Sequence, residues 1–291
     1  MQNYSFLEKK LHDLILGNKF INKSLFEIEK ILFLKKNNNN INDKHVFITS
    51  LPRSGTTVLL YYIYSSNEFY SLTYRNMPFI MAPNLSKIYK KKGFLEKKNR
   101  FHNDGIKFDL DSPESFDEIF FKTFDNQKNI KNNLFSDYVS LITKNGKRRY
   151  LSKNNNNYKR IDFLTSAFPN SFILIPVRSP IDHSHSLHEQ HLNFYNLQNK
   201  DKFILRYMNY LGHNEFGLNH KSWHQPINFH DQNKINYWLE QWFLFYELLF
   251  NKYSSHKNCI FVIYEELVNP NYLRVLLNKI NLDKVKDHNF D

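Results

Sequence analysis

HVFITSLPRSGTTVLLYYIY, residues 45–64, decides how the chain folds. It reads as a short buried strand (Val46, Phe47, Ile48), a tight polar loop from Leu51 to Thr57, and a helix whose face carries Val58, Leu59, Tyr62 and Ile63. A helix that begins on such a loop aims its unpaired N–H groups back into it. Gly55 lets a ligand come closer to the backbone than a Cβ would allow. The combination favours an anion over the loop, a phosphate or sulfate group.

Laid over the nucleotide-binding pattern G-x-x-x-x-G-K-[ST], the stretch fits only at Gly55 and Thr57. Ser50 stands where the first Gly belongs, and Thr56 where the Lys belongs. The loop instead offers Arg53 as its fixed charge and the hydroxyls of Ser54, Thr56 and Thr57. Pro52-Arg53-Ser54-Gly55-Thr56-Thr57 resembles the 5′-phosphosulfate loop of sulfotransferases that use 3′-phosphoadenosine 5′-phosphosulfate (PAPS), in which Lys or Arg fills the second position. The competing reading is a strand-to-helix turn that carries Arg-Ser-Gly-Thr-Thr by chance.

The second informative unit is Ser171 to Val177, SFILIPV, a continuous apolar strand of the kind covered on both faces. It runs into a predicted helix with Ser179 as N-cap, Pro180 at the first turn and Asp182 at the capping-box position. Arg178 is left at the carboxyl end of the strand, and Ser186 lies two turns into the helix. Arg178 and Ser186 together resemble the 3′-phosphate motif of PAPS-dependent sulfotransferases, Arg-x-Pro-x-x-x-x-x-Ser.

The resemblance spans roughly residues 44 to 280 and implies an α/β fold, a P-loop NTPase-like parallel sheet with helices on both faces. It implies transfer of a sulfuryl group from PAPS to a hydroxyl or amine on a small-molecule, glycan or peptide acceptor, with no metal. Arg53 and the backbone of Ser54, Gly55, Thr56 and Thr57 would hold the 5′-phosphosulfate, while Arg178 and Ser186 would hold the 3′-phosphate. Several such families place a late Arg-Lys-Gly or Lys-bearing segment over the 3′-phosphate. None stands before Asp291, which leaves open what covers that group.

Composition sets wider bounds. The 291 residues are 41% hydrophobic and 16% aromatic, enough for a sizeable core, and the economical expectation is one domain: a helical segment over 1–43 and an α/β core over 44–280. The net charge of +12 invites a nucleic-acid partner. Of the 40 basic residues, however, only nine are Arg, and the Lys come with Asn runs and abundant Ile and Phe, a bias an AT-rich coding sequence would give. No nucleic-acid partner is therefore expected, though the charge suits an anionic cosubstrate. Cys259, the single cysteine, is expected inside a buried strand and excludes an internal disulfide framework. No window approaches the ~18 apolar residues of a membrane span, and the N-terminus lacks an apolar core of signal-peptide type. A soluble, cytoplasmic protein is the expectation.

Along the chain, residues 4 to 35 show two amphipathic helices broken near Gly17-Asn18. Phe69 to Thr73 reads as a second strand, with Arg75 just beyond it as either a ligand-side charge or an exposed Arg. Ser112, Pro113 and Glu114 read as a helix start, which gives Glu114 a structural job. Tyr158 to Ala167 and Phe203 to Leu211 read as helices, and Trp238 to Tyr253 as an aromatic helix packed in the core. Ile260 to Tyr264 reads as a buried strand ending in Tyr-Glu-Glu-Leu, similar to a Tyr-Glu-x-Leu common in sulfotransferases, and an amphipathic helix follows from Tyr272.

The phosphate loop contains no carboxylate or imidazole, so a general base must come from elsewhere. His102 ranks first, then Asp104, Glu215 and His213. The turn His102-Asn103-Asp104-Gly105 also reads as a plain Asp-Gly turn, and His213 and Glu215 as surface loop residues. Two rivals remain: a divergent ATP-dependent kinase with Glu265 or Glu266 as its acidic residue, and a basic nucleic-acid-binding protein.

Overall fold

The computed structural model describes residues 4–35, 43–89, 97–99, 105–124 and 132–282. Two helices open the chain, α1 (Phe6–Leu16) and α2 (Lys19–Phe33). They break at Gly17-Asn18 because the Asn18 side chain caps the second, accepting from the N–H groups of Phe20 and Ile21. β1 (Val46–Ile48) runs through the polar loop into α3 (Thr56–Tyr64). β2 (Phe69–Tyr70) follows, then a small antiparallel ribbon of β3 (Lys98–Asn99) and β4 (Lys107–Phe108), then α4 (Glu118–Thr123) and α5 (Asn132–Ile142). β5 (Arg149–Lys153), α6 (Ile161–Ala167), β6 (Phe172–Val177), α7 (Pro180–Lys200) and α8 (Lys202–Leu211) come next. α9 (Ile235–Tyr253), β7 (Cys259–Ile263) and α10 (Pro270–Lys279) complete the order.

Five strands form one sheet in the order β2-β5-β1-β6-β7, and every pairing within it is parallel. Side chains alternate along each strand, so the sheet has two apolar faces. Val46, Ile48 and Leu174 pack with Leu59 and Ile63 of α3 and Leu276 of α10. Phe47, Tyr150 and Ile173 point the other way, into a larger core with Phe135 of α5, Leu187 of α7 and Phe245 of α9. A parallel sheet buried on both faces requires this double cover. α1 contacts α8, and α2 contacts α4 and α5, which adds the N-terminal helices to the outer layer. No helix among the described residues is long and apolar enough to cross a membrane.

The connection out of β1 moves towards β2 and β5, whereas the connection out of β6 moves towards β7. The strand order therefore reverses between β1 and β6, and the loops after these two strands flank the crevice where α/β sheets bind ligands. These are the loops that carry Arg53 and Arg178.

Several local expectations are corrected. The helix expected at Ser112 begins instead at Glu118. Ser112 Oγ is taken up by the Asp109 carboxylate at 2.8 Å, Pro113 bridges antiparallel to Thr73, and the Glu114 N–H donates to the Leu72 carbonyl. The segment is thus held alongside 72–74 and cannot coil. β2 is shorter than Phe69–Thr73 for the same reason, since Thr73 turns away to Pro113. β7 is an edge strand and Cys259 in it is only half-buried. The helix expected over Tyr158–Ala167 is a 3-10 turn through Arg160 and then α6. In α9, Trp238, Phe245 and Tyr246 are buried as expected, but Phe243 and Phe250, seven residues apart on another face, are exposed.

Candidate functional site

The loop between β1 and α3 is built by strain and by close packing. Arg53 has φ +70° and Gly55 φ +84°, both in the left-handed region. For Gly55 this is inexpensive, whereas for Arg53 it costs energy that the surroundings must supply. The missing Cβ of Gly55 also makes room for a neighbour: one built there would lie 2.2 Å from Tyr264 Cδ2. The need for glycine therefore comes from backbone conformation and from the Tyr264 ring as well as from ligand approach. Ser54 is fully buried and its hydroxyl donates to the Leu51 carbonyl at 2.7 Å, so its side chain locks the turn.

α3 starts from Gly55 with no side-chain cap, and its first main-chain bond is Leu59 N–H to the Gly55 carbonyl. The first-turn N–H groups have no intrahelical acceptor. Among the described residues the hydroxyls of Thr56 and Thr57 take no protein partner either. These donors open on a cavity of about 250 Å³ that Arg53, Gly55, Thr56, Thr57 and Arg178 all line.

α7 and Arg178, two residues ahead of it, hold the loop at three points. His183 Nε2–H donates to the Pro52 carbonyl at 2.8 Å, Arg178 Nη1 donates to the Arg53 carbonyl at 3.2 Å, and Arg53 Nε donates to Ser186 Oγ at 3.0 Å. Arg178 also lies over the Tyr264 ring, 5.3 Å from its centroid. Burial pulls the His183 imidazole down to about 4, outweighing the Pro52 bond that favours the charged form, with Arg178 and Arg53 adding to the fall. It is neutral, and its buried Nδ1 has no partner among the described residues. At the start of α7 the expected capping box is replaced: the Ser179 N–H donates to Glu265 Oε1 at 2.8 Å.

Across the cavity stand acidic and basic groups. His213 and Glu215 both line it, with His213 Nδ1 3.5 Å from Glu215 Oε1. Burial alone would raise the Glu215 carboxyl; His213, beside it and hydrogen-bonded to it, helped by Lys153, outweighs that and holds it below its usual value. The loop is fixed by His220, whose Nδ1–H donates to the Glu215 carbonyl at 2.6 Å. His102 and Asp104 lie outside the described residues. Arg75 is exposed and forms a two-bond pair with Asp111 at 2.7 and 2.6 Å, away from the cavity.

Two lining residues escaped the sequence reading. Lys153 ends β5 in register with Ile48, beside the strand that feeds the phosphate loop, and is buried. Its ammonium lies 3.4 Å from Glu114 Oε1, while Tyr74 Oη donates to Glu114 Oε2 at 3.0 Å. The carboxyl-end rule for parallel strands would have found Lys153. Glu114 was hidden by the false helix start.

A family model described as "Sulfotransferase family" matches residues 45–211, more than half of the chain. The chain belongs to this family. The match spans both the loop of Arg53 and the strand–helix unit of Arg178 and Ser186. Solved sulfotransferases share the overall fold. STF1 from Mycobacterium tuberculosis H37Rv superposes with a TM-score of 0.53 and 10% identity, over 96% of this chain and 78% of that one. STF9 from Mycobacterium avium gives 0.51 and 11%, over 96% and 74%. No curated protein sequence matches the chain. The single parallel sheet flanked by helices is the P-loop NTPase-like arrangement that sulfotransferases share, as expected from the sequence.

Proposed function

We propose that the chain is a PAPS-dependent sulfotransferase that moves a sulfuryl group to an acceptor hydroxyl. The observation that supports this best is the uncapped start of α3 opening, together with Arg53 and Arg178, on one cavity that buried carboxylates also line. Two fixed guanidinium charges and a helix N-terminus suit a donor bearing phosphate groups at both ends of a ribose.

In this reading Arg53 and the N–H groups from Gly55 to Val58 bind the 5′ end and stabilise negative charge on the departing phosphate. Thr56 and Thr57 contribute hydroxyl donors. Arg178, with Ser186, binds the 3′-phosphate. The bond from sulfur to the phosphate oxygen breaks, the bond from sulfur to the acceptor oxygen forms, and the acceptor's proton passes to a carboxylate. Glu114 is the better placed base, because Lys153 ties it to the strand beside the phosphate loop; Glu215 with His213 is the second candidate. The free thiol of Cys259 suits a reducing compartment, the cytoplasm.

The kinase rival needs Glu265 or Glu266 at the site. Glu265 is engaged by Ser179 and Glu266 by Asn269, and Thr56 replaces the nucleotide-binding Lys. The test is release of adenosine 3′,5′-bisphosphate from PAPS in the presence of a panel of alcohols, phenols and amines. Acceptor-dependent release that Arg53→Ala abolishes is the expected result; no release with any acceptor would contradict the reading.

A further inference from the structure

Most of the cavity wall away from Arg53 is apolar, with Glu114, Lys153, Asn155, His213 and Glu215 as its polar members. The path runs from Lys153 to Glu114, from Glu114 to the Tyr74 hydroxyl, and then to rings: Tyr74 packs on Phe108 at 4.5 Å between centroids and edge-on against Phe116 at 5.2 Å. On the opposite side α8 turns Ile204, Tyr207, Met208 and Leu211 into the space, all of them buried. In this part of the wall the two tyrosine hydroxyls are engaged, Tyr74 with Glu114 and Tyr207 with Tyr4, while Asn155 Oδ1 has no partner among the described residues.

Such a wall discriminates between acceptors. A sugar carries a hydroxyl on nearly every carbon, and each one left without a partner here costs roughly 1–3 kcal/mol. An anionic acceptor meets two buried carboxylates, Glu114 and Glu215, set against Lys153 and His213. An aromatic body, by contrast, gains from desolvation and from edge and face contacts with Tyr74, Phe108 and Phe116.

Resting on the sulfotransferase reading of this same site, we infer that the acceptor is an uncharged phenol or aryl alcohol rather than a sugar, a peptide or an anionic hydroxy acid. Glu114 stands where the apolar wall meets the donor side, so a ring seated against Phe108 presents its hydroxyl to the carboxylate and to the phosphate loop.

The experiment is calorimetric titration of the full chain with 2-naphthol, N-acetylglucosamine and 4-hydroxybenzoate, each with and without saturating adenosine 3′,5′-bisphosphate. 2-Naphthol should bind at least about ten-fold more tightly than either of the others. Phe108→Asp, which puts a charge on the wall, should weaken 2-naphthol by about ten-fold and leave the nucleotide affinity unchanged. The wild-type comparison decides the matter even if that variant fails to fold. Tighter or equal binding of the sugar or of 4-hydroxybenzoate, or no binding of 2-naphthol, overturns the inference. Binding of 2-naphthol without any binding of the nucleotide would support the acceptor class and overturn the donor reading alone, so the two failures are separable.

Discussion

Arg53 Nε donates a hydrogen bond to Ser186 Oγ at 3.0 Å, across 133 residues of chain. The residue that carries the charge of the first motif is thereby aimed by a residue of the second. Arg178 reinforces the link by donating to the Arg53 carbonyl. The two motifs work as one interlocked anion site at the reversal of strand order.

Arg53→Ala removes the loop's guanidinium from beside the leaving phosphate. Loss of a charge-assisted contact strengthened in the transition state should cost about 100-fold or more in turnover. Arg53→Lys should retain charge but lose the planar fork that reaches Ser186, with a smaller loss of about ten-fold. Steady-state rates of nucleotide release check both. Near-wild-type turnover of the Ala variant would remove Arg53 from the site.

Ser186→Ala separates two roles. If Ser186 served the 3′-phosphate alone, the variant would respond normally to AMP. Because it also orients Arg53, the melting shift caused by AMP should fall together with that caused by adenosine 3′,5′-bisphosphate. An unchanged AMP response would show that the bond to Arg53 carries no weight.

Glu114→Gln keeps the shape and the contact with the Tyr74 hydroxyl but cannot take a proton. Turnover should drop by about 100-fold or more, with nucleotide binding retained. Glu215→Gln should cost less. The reverse order in parallel rate measurements would move the base to the Glu215–His213 pair.

Much of this was legible in the sequence, because it rests on local pattern. The strand, loop and helix at 45–64 and the strand and helix at 171–186 follow from apolar runs broken by Pro, Arg, Ser and Gly. What was not legible depends on contacts distant in sequence. Thr73 pairing with Pro113 overrode a good local helix start and released Glu114 to the cavity. Lys153 belongs to the site only because β5 lies beside β1. Glu265 took over the capping role assigned to Asp182, which no spacing rule within α7 anticipates.

Buried neutral histidines set the pH dependence of stability. His183 is pulled to about 4 and His45 to about 3, chiefly by burial, and both would rest near 6.5 when exposed. The unfolded chain therefore binds more protons below pH 6.5 than the folded chain does. Their stabilising contribution is complete above that value and is lost as pH falls, the loss reaching about 3 kcal/mol for each near pH 4. Urea midpoints should drop steeply between pH 6.5 and 4. His183→Gln, which retains a donor for Pro52, should flatten that slope; an unchanged slope would contradict the assignment.

The central claim, a donor with a 3′-phosphate, is tested most directly by melting curves of the wild type and Arg178→Ala with adenosine 3′,5′-bisphosphate, AMP and Mg-ATP. Charge-assisted bonds to the extra phosphate worth roughly 1.5–3 kcal/mol should favour the bisphosphate over AMP by about 10- to 100-fold. At a hundredfold excess over its dissociation constant the bisphosphate should add about 2.7 kcal/mol of stability. Arg178→Ala should erase most of the difference between the two nucleotides. Equal affinity for them in the wild type, or stronger stabilisation by Mg-ATP, would contradict the account.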